Sequence, residues 1–261
     1  MLRHFPESTK VVFFDLEYYV PLEDRARKAP SSMKFSPYLP GHKILGGTFQ
    51  TYLPMTDELR PPIQIWEWTA GSEKRVLEEI LALLKSEWKG LERGDRGSLM
   101  LCGIGISHSD VPALLAKMNT SLIDLPTRIY DYLCGCRQID LSTATYCQFS
   151  SKTRYFSYPK SKAMLYNKYL AEPSNVAPST SVWNDYETGR FSAIEARTQL
   201  EVDHNVSIYK RMFDIRRETE GIVARLKKLQ KLGLIPPNIP KSANGDADVL
   251  AANASTDALE S

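Results

Sequence analysis

The sequence predicts an α/β protein built on a mixed five-stranded sheet flanked by helices. Three observations lead there. Short apolar runs rich in β-branched and aromatic residues alternate with stretches of helical periodicity. Three strand signals come before the first helix, and later strands follow helices, which suits an antiparallel start joined to parallel strands. The composition, 43% hydrophobic and 25% charged over 261 residues, is that of an ordinary globular chain. It excludes collagen-like, coiled-coil and wholly disordered classes. No run of about 18 apolar residues occurs, so no membrane span is expected.

The elements follow in order. Lys10-Val11-Val12-Phe13-Phe14-Asp15-Leu16-Glu17 is an apolar strand that ends in two acids. Residues 21–43 carry prolines and mixed charge and read as a long loop or insertion. Residues 44–52 and 63–68 read as two further strands, the second holding Trp66 and Trp68 on one face as core residues or, less simply, as a stacking platform. Ser72 is an N-cap for a helix from Glu73 to about Leu91, with Val76, Ile80, Leu83 and Leu84 on its apolar face. Residues 99–106 form a buried strand, after which Ser109 can cap a helix carrying Val111, Leu114 and Leu115. A broad apolar face of Leu200, Val202, Val206, Ile208, Tyr209 and Met212 marks a helix from Phe191, and helical spacing continues to residue 231. The chain thus divides into a domain over 1–235 and a tail over 236–261. That tail, rich in Pro, Ala, Asn, Ser and Asp, lacks the large apolar residues needed to offset its ordering entropy.

Cysteine and the N-terminus give a setting. Cys102, Cys134, Cys136 and Cys147 form no pair of CxxC hooks, and the spacing of Cys134 and Cys136 is too tight for an ordinary zinc knuckle. With no apolar stretch of signal-peptide type near the start, reduced thiols in the cytoplasm are the expectation.

The placement of carboxylates carries the chemistry. Asp15 and Glu17 stand at i and i+2 of a strand, on one face, about 7 Å apart along it. Two such acids at the end of a core strand repel unless a proton or a hard divalent ion lies between them; a polar strand end merging into a loop is the plainer alternative. Asp110 follows a glycine-bearing turn and opens a helix, where an acid is also favoured as a partial cap or by the helix dipole. Glu201 and Asn205 share a helical stripe at i, i+4, and Glu201 taken alone would face solvent.

Together these positions resemble the DEDD 3′–5′ exonuclease superfamily, which has a ribonuclease-H-like fold, and especially the branch related to the proofreading domains of family B DNA polymerases. Phe14-Asp15-Leu16-Glu17 is similar to the first motif, a strand-borne D-x-E. Residues 103–114 resemble the second, N-x-x-x-F-D-x-P-x-L, with Asp110, Pro112 and Leu114 at its spacing and His108 and Ser109 at altered flanking positions. Ile139-Asp140-Leu141, then a basic loop and a helix near Ala163, resembles the strand between the second and third motifs. Residues 183–195 resemble the approach to the third motif, whose pattern is Y-x-x-x-D-V or H-x-x-x-x-D. Here Arg197 stands for the Tyr and Glu201 for the Asp, with Asp203 as an alternative register. The resemblance spans about residues 10–215.

It implies hydrolysis of phosphodiester bonds by two Mg²⁺ or Mn²⁺ ions held by Asp15, Glu17, Asp110 and Glu201. It further implies action at the 3′ ends of single-stranded DNA or RNA, and no motif distinguishes the two or specifies an oligomeric state. His204 and His108 are alternative proton acceptors if the Tyr is missing, or ordinary packing and surface histidines. A catalytically weak nucleic-acid-binding module and an endonuclease of the same fold are rival expectations.

Residues 150–171 hold five bases and no acid, interleaved with Tyr155, Phe156, Tyr158, Tyr166 and Tyr169. Lys152, Arg154, Tyr155, Lys160 and Lys162 are the expected contacts to a single strand, cations tracking phosphates while rings stack on bases; the alternative is a solvated loop with its rings in the core. Residues 206–231 carry a net +5 on an amphipathic helix, a backbone-binding face or a solvated terminal helix. The overall charge of +2 averages opposed regions, because a tail of −3 leaves +5 on the body. A polyanionic partner is therefore compatible with it.

Overall fold

A computed structural model of the chain describes residues 8–26, 34–89, 91, 99–145, 149, 161–170, 178 and 180–232. The tail over 236–261, part of the loop over 21–43, and Lys152, Arg154, Tyr155 and Lys160 lie outside them.

Six strands form one mixed sheet: β1 (Lys10–Tyr19), β2 (Lys43–Leu53), β3 (Glu58–Leu59), β4 (Ile63–Trp66), β5 (Leu99–Gly103) and β6 (Arg137–Asp140). The order is β3-β2-β1-β5-β6, with β4 also on β2. β1, β2 and β4 pair antiparallel, whereas β5 runs parallel to β1 and β6 parallel to β5. Five of the strands are those expected from the sequence; the two-residue β3 is too short to leave a periodic signal. The helices are α1 (Glu67–Ala70), α2 (Glu73–Lys89), α3 (Asp110–Thr120), α4 (Pro126–Cys134), α5 (Leu141–Ala144), α6 (Lys162–Tyr169), α7 (Ser181–Glu187) and α8 (Phe191–Lys231).

β1 is central and covered on both faces. Val12, Phe14 and Leu16 pack with Val76, Leu77, Ile80 and Leu84 of α2 and with Val111 and Leu114 of α3. Val11 and Phe13 face the other way, toward Leu165 and Tyr166 of α6 and Val202, Val206 and Ile208 of α8. The period of two along a strand therefore carries Asp15 and Glu17 onto the side of α6 and α8. Two glycines allow the close strand packing at this end. Gly46 has φ of +134°, and a Cβ there would lie 2.0 Å from the Ile65 carbonyl oxygen. A Cβ on Gly103 would lie 2.7 Å from that of Phe14.

Three local expectations need correction, and one, the cap at Ser72, holds. The strand over 63–68 stops at Trp66, and residues 67–70 make one helical turn; Trp66 and Trp68 still stack, with ring centroids 4.8 Å apart and planes at 9°. Ser72 does cap α2, accepting from the Arg75 amide at 3.3 Å. Ser109 does not cap α3, because its hydroxyl turns to the Gly105 carbonyl and the Asp110 carboxylate. The two helical signals from 191 to 231 are one 41-residue helix, on which Leu200 is exposed rather than on the apolar face. Cys102 and Cys136 are buried and Cys134 half-buried, all three free, while Cys147 lies outside the described residues. Among the described residues no helix is long and apolar enough to cross a membrane.

Candidate metal centre

Three carboxylates meet where the end of β1 faces the N-terminal third of α8. One oxygen each of Asp15, Glu17 and Glu201 lies within 4.8 Å of the others. Exposures of 4%, 4% and 1% place all three in the interior, where unpaired carboxylates are costly. Glu201 thus points inward, because α8 lies across the face of β1 that carries the two strand acids.

Two cations from the chain answer this charge. The Lys162 ammonium, at the start of α6, donates to Asp15 Oδ1 at 2.8 Å and to Glu201 Oε2 at 3.0 Å. The Arg197 guanidinium, one turn before Glu201, donates to Glu17 Oε1 and to both Glu201 oxygens, at 3.2 and 2.9 Å. The buried Thr198 hydroxyl adds a bond of 3.0 Å to Glu17.

The acids respond differently. Burial, then repulsion from Glu201, pushes Asp15 well above the usual carboxylate range against the pull of Lys162. Burial likewise raises Glu17 to about 7, opposed by Arg197 and reinforced by Glu201. For Glu201 burial also acts upward, but Lys162 and Arg197 outweigh it and bring the group to about 2. The triad therefore combines one firmly ionised acid with two that resist ionisation until another positive charge arrives.

A pH test follows for Glu17. A carboxyl that is harder to ionise when folded works against folding once pH passes its ordinary value near 4.5, and the penalty is complete above about 7. Glu17→Gln removes that titration. Its stability relative to the parent protein should rise by about 2–3 kcal/mol between pH 5 and pH 8, measured by urea unfolding. A pH-independent difference would show that Glu17 ionises normally.

Asp110 stands at the first position of α3, 4% exposed. Its oxygens are bonded by the Tyr18 hydroxyl at 2.7 Å and the Ser109 hydroxyl at 2.8 Å. Burial raises its pKa, opposed by those two bonds and by the charge of Lys162. It borders the triad without belonging to the close group of three. Asp203 is exposed, its carboxylate bonded by Gln199 at 2.9 Å. Two residues beyond Glu201 is about 200° around a helix, so the shifted register points away from the site.

The two histidines differ. His204 is half-buried, its ring edge-on to Tyr166 at 4.7 Å, with Nδ1 buried and, among the described residues, lacking a hydrogen-bond partner; burial depresses its pKa. His108 is exposed, its Nδ1 2.9 Å from Ser107 Oγ and 3.5 Å from Asp140. Of the rings expected to stack on bases, Tyr166 and Tyr169 are buried in the core instead.

Sequence reasoning placed Lys162 in a substrate groove; it stands among the acids. Tyr18 and Thr198 were passed over, the first because a single tyrosine after a D-x-E strand carries no signal. Asp140 was read only as part of a strand. It accepts from the Gly105 and Ser107 amides, from the Ser142 amide, and from the Ser107 and Ser142 hydroxyls. Asp140-Leu141-Ser142 has the acid-first spacing of an N-cap, which was a legible sign.

The donor set suits a hard divalent cation at Asp15, Glu17 and Glu201, since all three offer carboxylate oxygen. Asn205, one turn beyond Glu201, is 1% exposed, and neither amide atom has a hydrogen-bond partner among the described residues, a polar group left for water or a ligand. A second ion does not fit as the residues stand, because Tyr18 and Ser109 bond the Asp110 oxygens and Arg197 spans Glu17 and Glu201. No protein-family model matches the chain, and no curated protein matches it in sequence.

Proposed function

We propose that this chain is a metal-dependent 3′–5′ exonuclease of ribonuclease-H-like fold, acting in the cytoplasm on single-stranded ends of DNA or RNA. The buried triad of Asp15, Glu17 and Glu201 carries the reading, because two strand acids and one helical acid converge at the end of the central strand. The sheet order and the mixed pairing support it. One Mg²⁺ or Mn²⁺ held there would lower the pKa of a bound water and offset the charge of a phosphodiester. The two-ion arrangement implied by the resemblance requires Asp110 to release Tyr18 and Ser109. Of the two histidines we favour His204 as proton acceptor, because burial depresses its pKa and its buried Nδ1 has no hydrogen-bond partner among the described residues.

One observation favours the second reading, a nucleic-acid-binding module without strong activity: Lys162 and Arg197 already neutralise much of the triad. End-labelled single-stranded oligonucleotides separate the two. The exonuclease shortens a 5′-labelled strand stepwise with Mg²⁺ or Mn²⁺ and not with chelator, and Asp15→Asn loses at least about 10²-fold in rate while remaining folded. Retention of the strand without shortening in any divalent ion would establish the binding module. Internal fragments would identify an endonuclease.

A further inference from the structure

The two cations in the triad are not equivalent. Arg197 lies on the same helix as Glu201, its side chain 8% exposed, and its guanidinium is bonded to two acids at once. Moving it would strip Glu17 and Glu201 together and leave a buried charge unpaired. Lys162 is tethered differently. Its side chain is 37% exposed, its ammonium is a point charge on a flexible four-carbon stem, and its helix is fixed by Leu165, Tyr166 and Tyr169 rather than by Lys162 itself. The ammonium can therefore turn to solvent without repacking α6.

Its position is equally telling. The ammonium sits between Asp15 Oδ1 and Glu201 Oε2, bonded to both, where a cation shared by those acids would stand. A divalent ion bound by the triad and the Lys162 ammonium at 2.8 and 3.0 Å from the same oxygens would be neighbouring like charges in a site largely closed to water, an arrangement with a large repulsion.

We infer that Lys162 is a built-in competitor for the divalent ion: it closes the triad when the ion is absent, leaves when the ion binds, and then presents a free ammonium at the rim of the site to a substrate phosphate. This rests on the metal-dependent reading above. Arg197 stays in place in both states and limits the triad to one ion.

Two measurements test it. Free Mn²⁺, counted by electron paramagnetic resonance during titration, gives the affinity of the parent protein, Lys162→Met and Lys227→Met, the last removing one exposed charge from α8 as a control for net charge. Lys162→Met should bind one Mn²⁺ about tenfold more tightly or better, and Lys227→Met should match the parent. In the parent protein, an amine-acylating reagent read by mass spectrometry should modify Lys162 several-fold faster when Mg²⁺ is added, which keeps the test open should Lys162→Met not fold. Binding by the parent, with no gain in Lys162→Met or with acylation unchanged by Mg²⁺, overturns the competitor and leaves the metal reading standing. Binding by Lys162→Met alone supports the competitor and ends the case for a metal-loaded parent enzyme. No binding by either folded protein overturns both.

Discussion

Glu201→Ala is expected to destabilise the protein by about 3–5 kcal/mol, whereas Asp15→Asn should raise its melting temperature at pH 8. The two changes remove carboxylates that share an ammonium, yet their surroundings give them opposite signs. Glu201 is the common partner of Lys162 and Arg197. Without it, Arg197 keeps Glu17 and Lys162 keeps Asp15, two acids that already resist ionisation. Among the described residues Asp15 is ion-paired with Lys162 alone, and burial together with Glu201 opposes its charge. An amide at that position keeps a hydrogen-bonding group for Lys162, and Lys162 keeps Glu201. Chemical denaturation of both variants reads the result directly. A comparable loss in both would mean that the triad behaves as an ordinary balanced ion network.

Asp140→Ala is expected to cost about 3–4 kcal/mol, a large effect for a residue outside the triad. Its carboxylate gathers two amides and a hydroxyl from the turn after β5, and an amide and a hydroxyl from the first turn of α5. Burial disfavours its charge, but the Ser107 and Ser142 hydroxyls and the Gly105 and Ser107 amides prevail and hold the group below the usual aspartate range. The turn it organises delivers Asp110 to α3. A depressed carboxyl contributes stability above its unfolded pKa and loses it as pH falls through the folded one. The gap between Asp140→Asn and the parent should therefore narrow below about pH 4. A gap that stays constant down to pH 2.5 would mean that the charge of Asp140 contributes nothing.

The sheet was largely legible in sequence because β1, β2, β4 and β5 each carry a compact apolar or β-branched signal, and the helix-strand alternation fixes which pairs run parallel; β6, Arg137-Gln138-Ile139-Asp140, carries no such signal and was expected from the resemblance alone. The acids on β1 were legible for the same reason: alternation alone puts residues 15 and 17 on one face. Glu201 was not, since helical periodicity made its stripe polar, and only the crossing of α8 over β1 turns that stripe inward. Lys162 was counted among the bases of a charged segment, and no local pattern marks which of five will reach two carboxylates, one 147 residues away along the chain. The helical turn at Glu67 escaped notice because Ile63 to Trp68 is a short run rich in β-branched and aromatic residues; the competing Thr69 hydroxyl bond to the Trp66 carbonyl is not visible to periodicity.

The position of β1 in the sheet also governs how the protein opens. The strands exposed at the margins are short: β3 has two residues, β4 four and β6 four, the last with charged residues at both ends. Such margins offer little template for pairing with a foreign strand, so association through sheet edges is disfavoured. β1 is paired on both sides only over Val11 to Phe13, by β2 and β5, and beyond Phe13 its partner strand is β2 alone. Amide protons from Val11 to Phe13 are therefore expected to exchange only when the sheet itself comes apart, whereas the acid-bearing end, held by one neighbouring strand, can open locally and sooner.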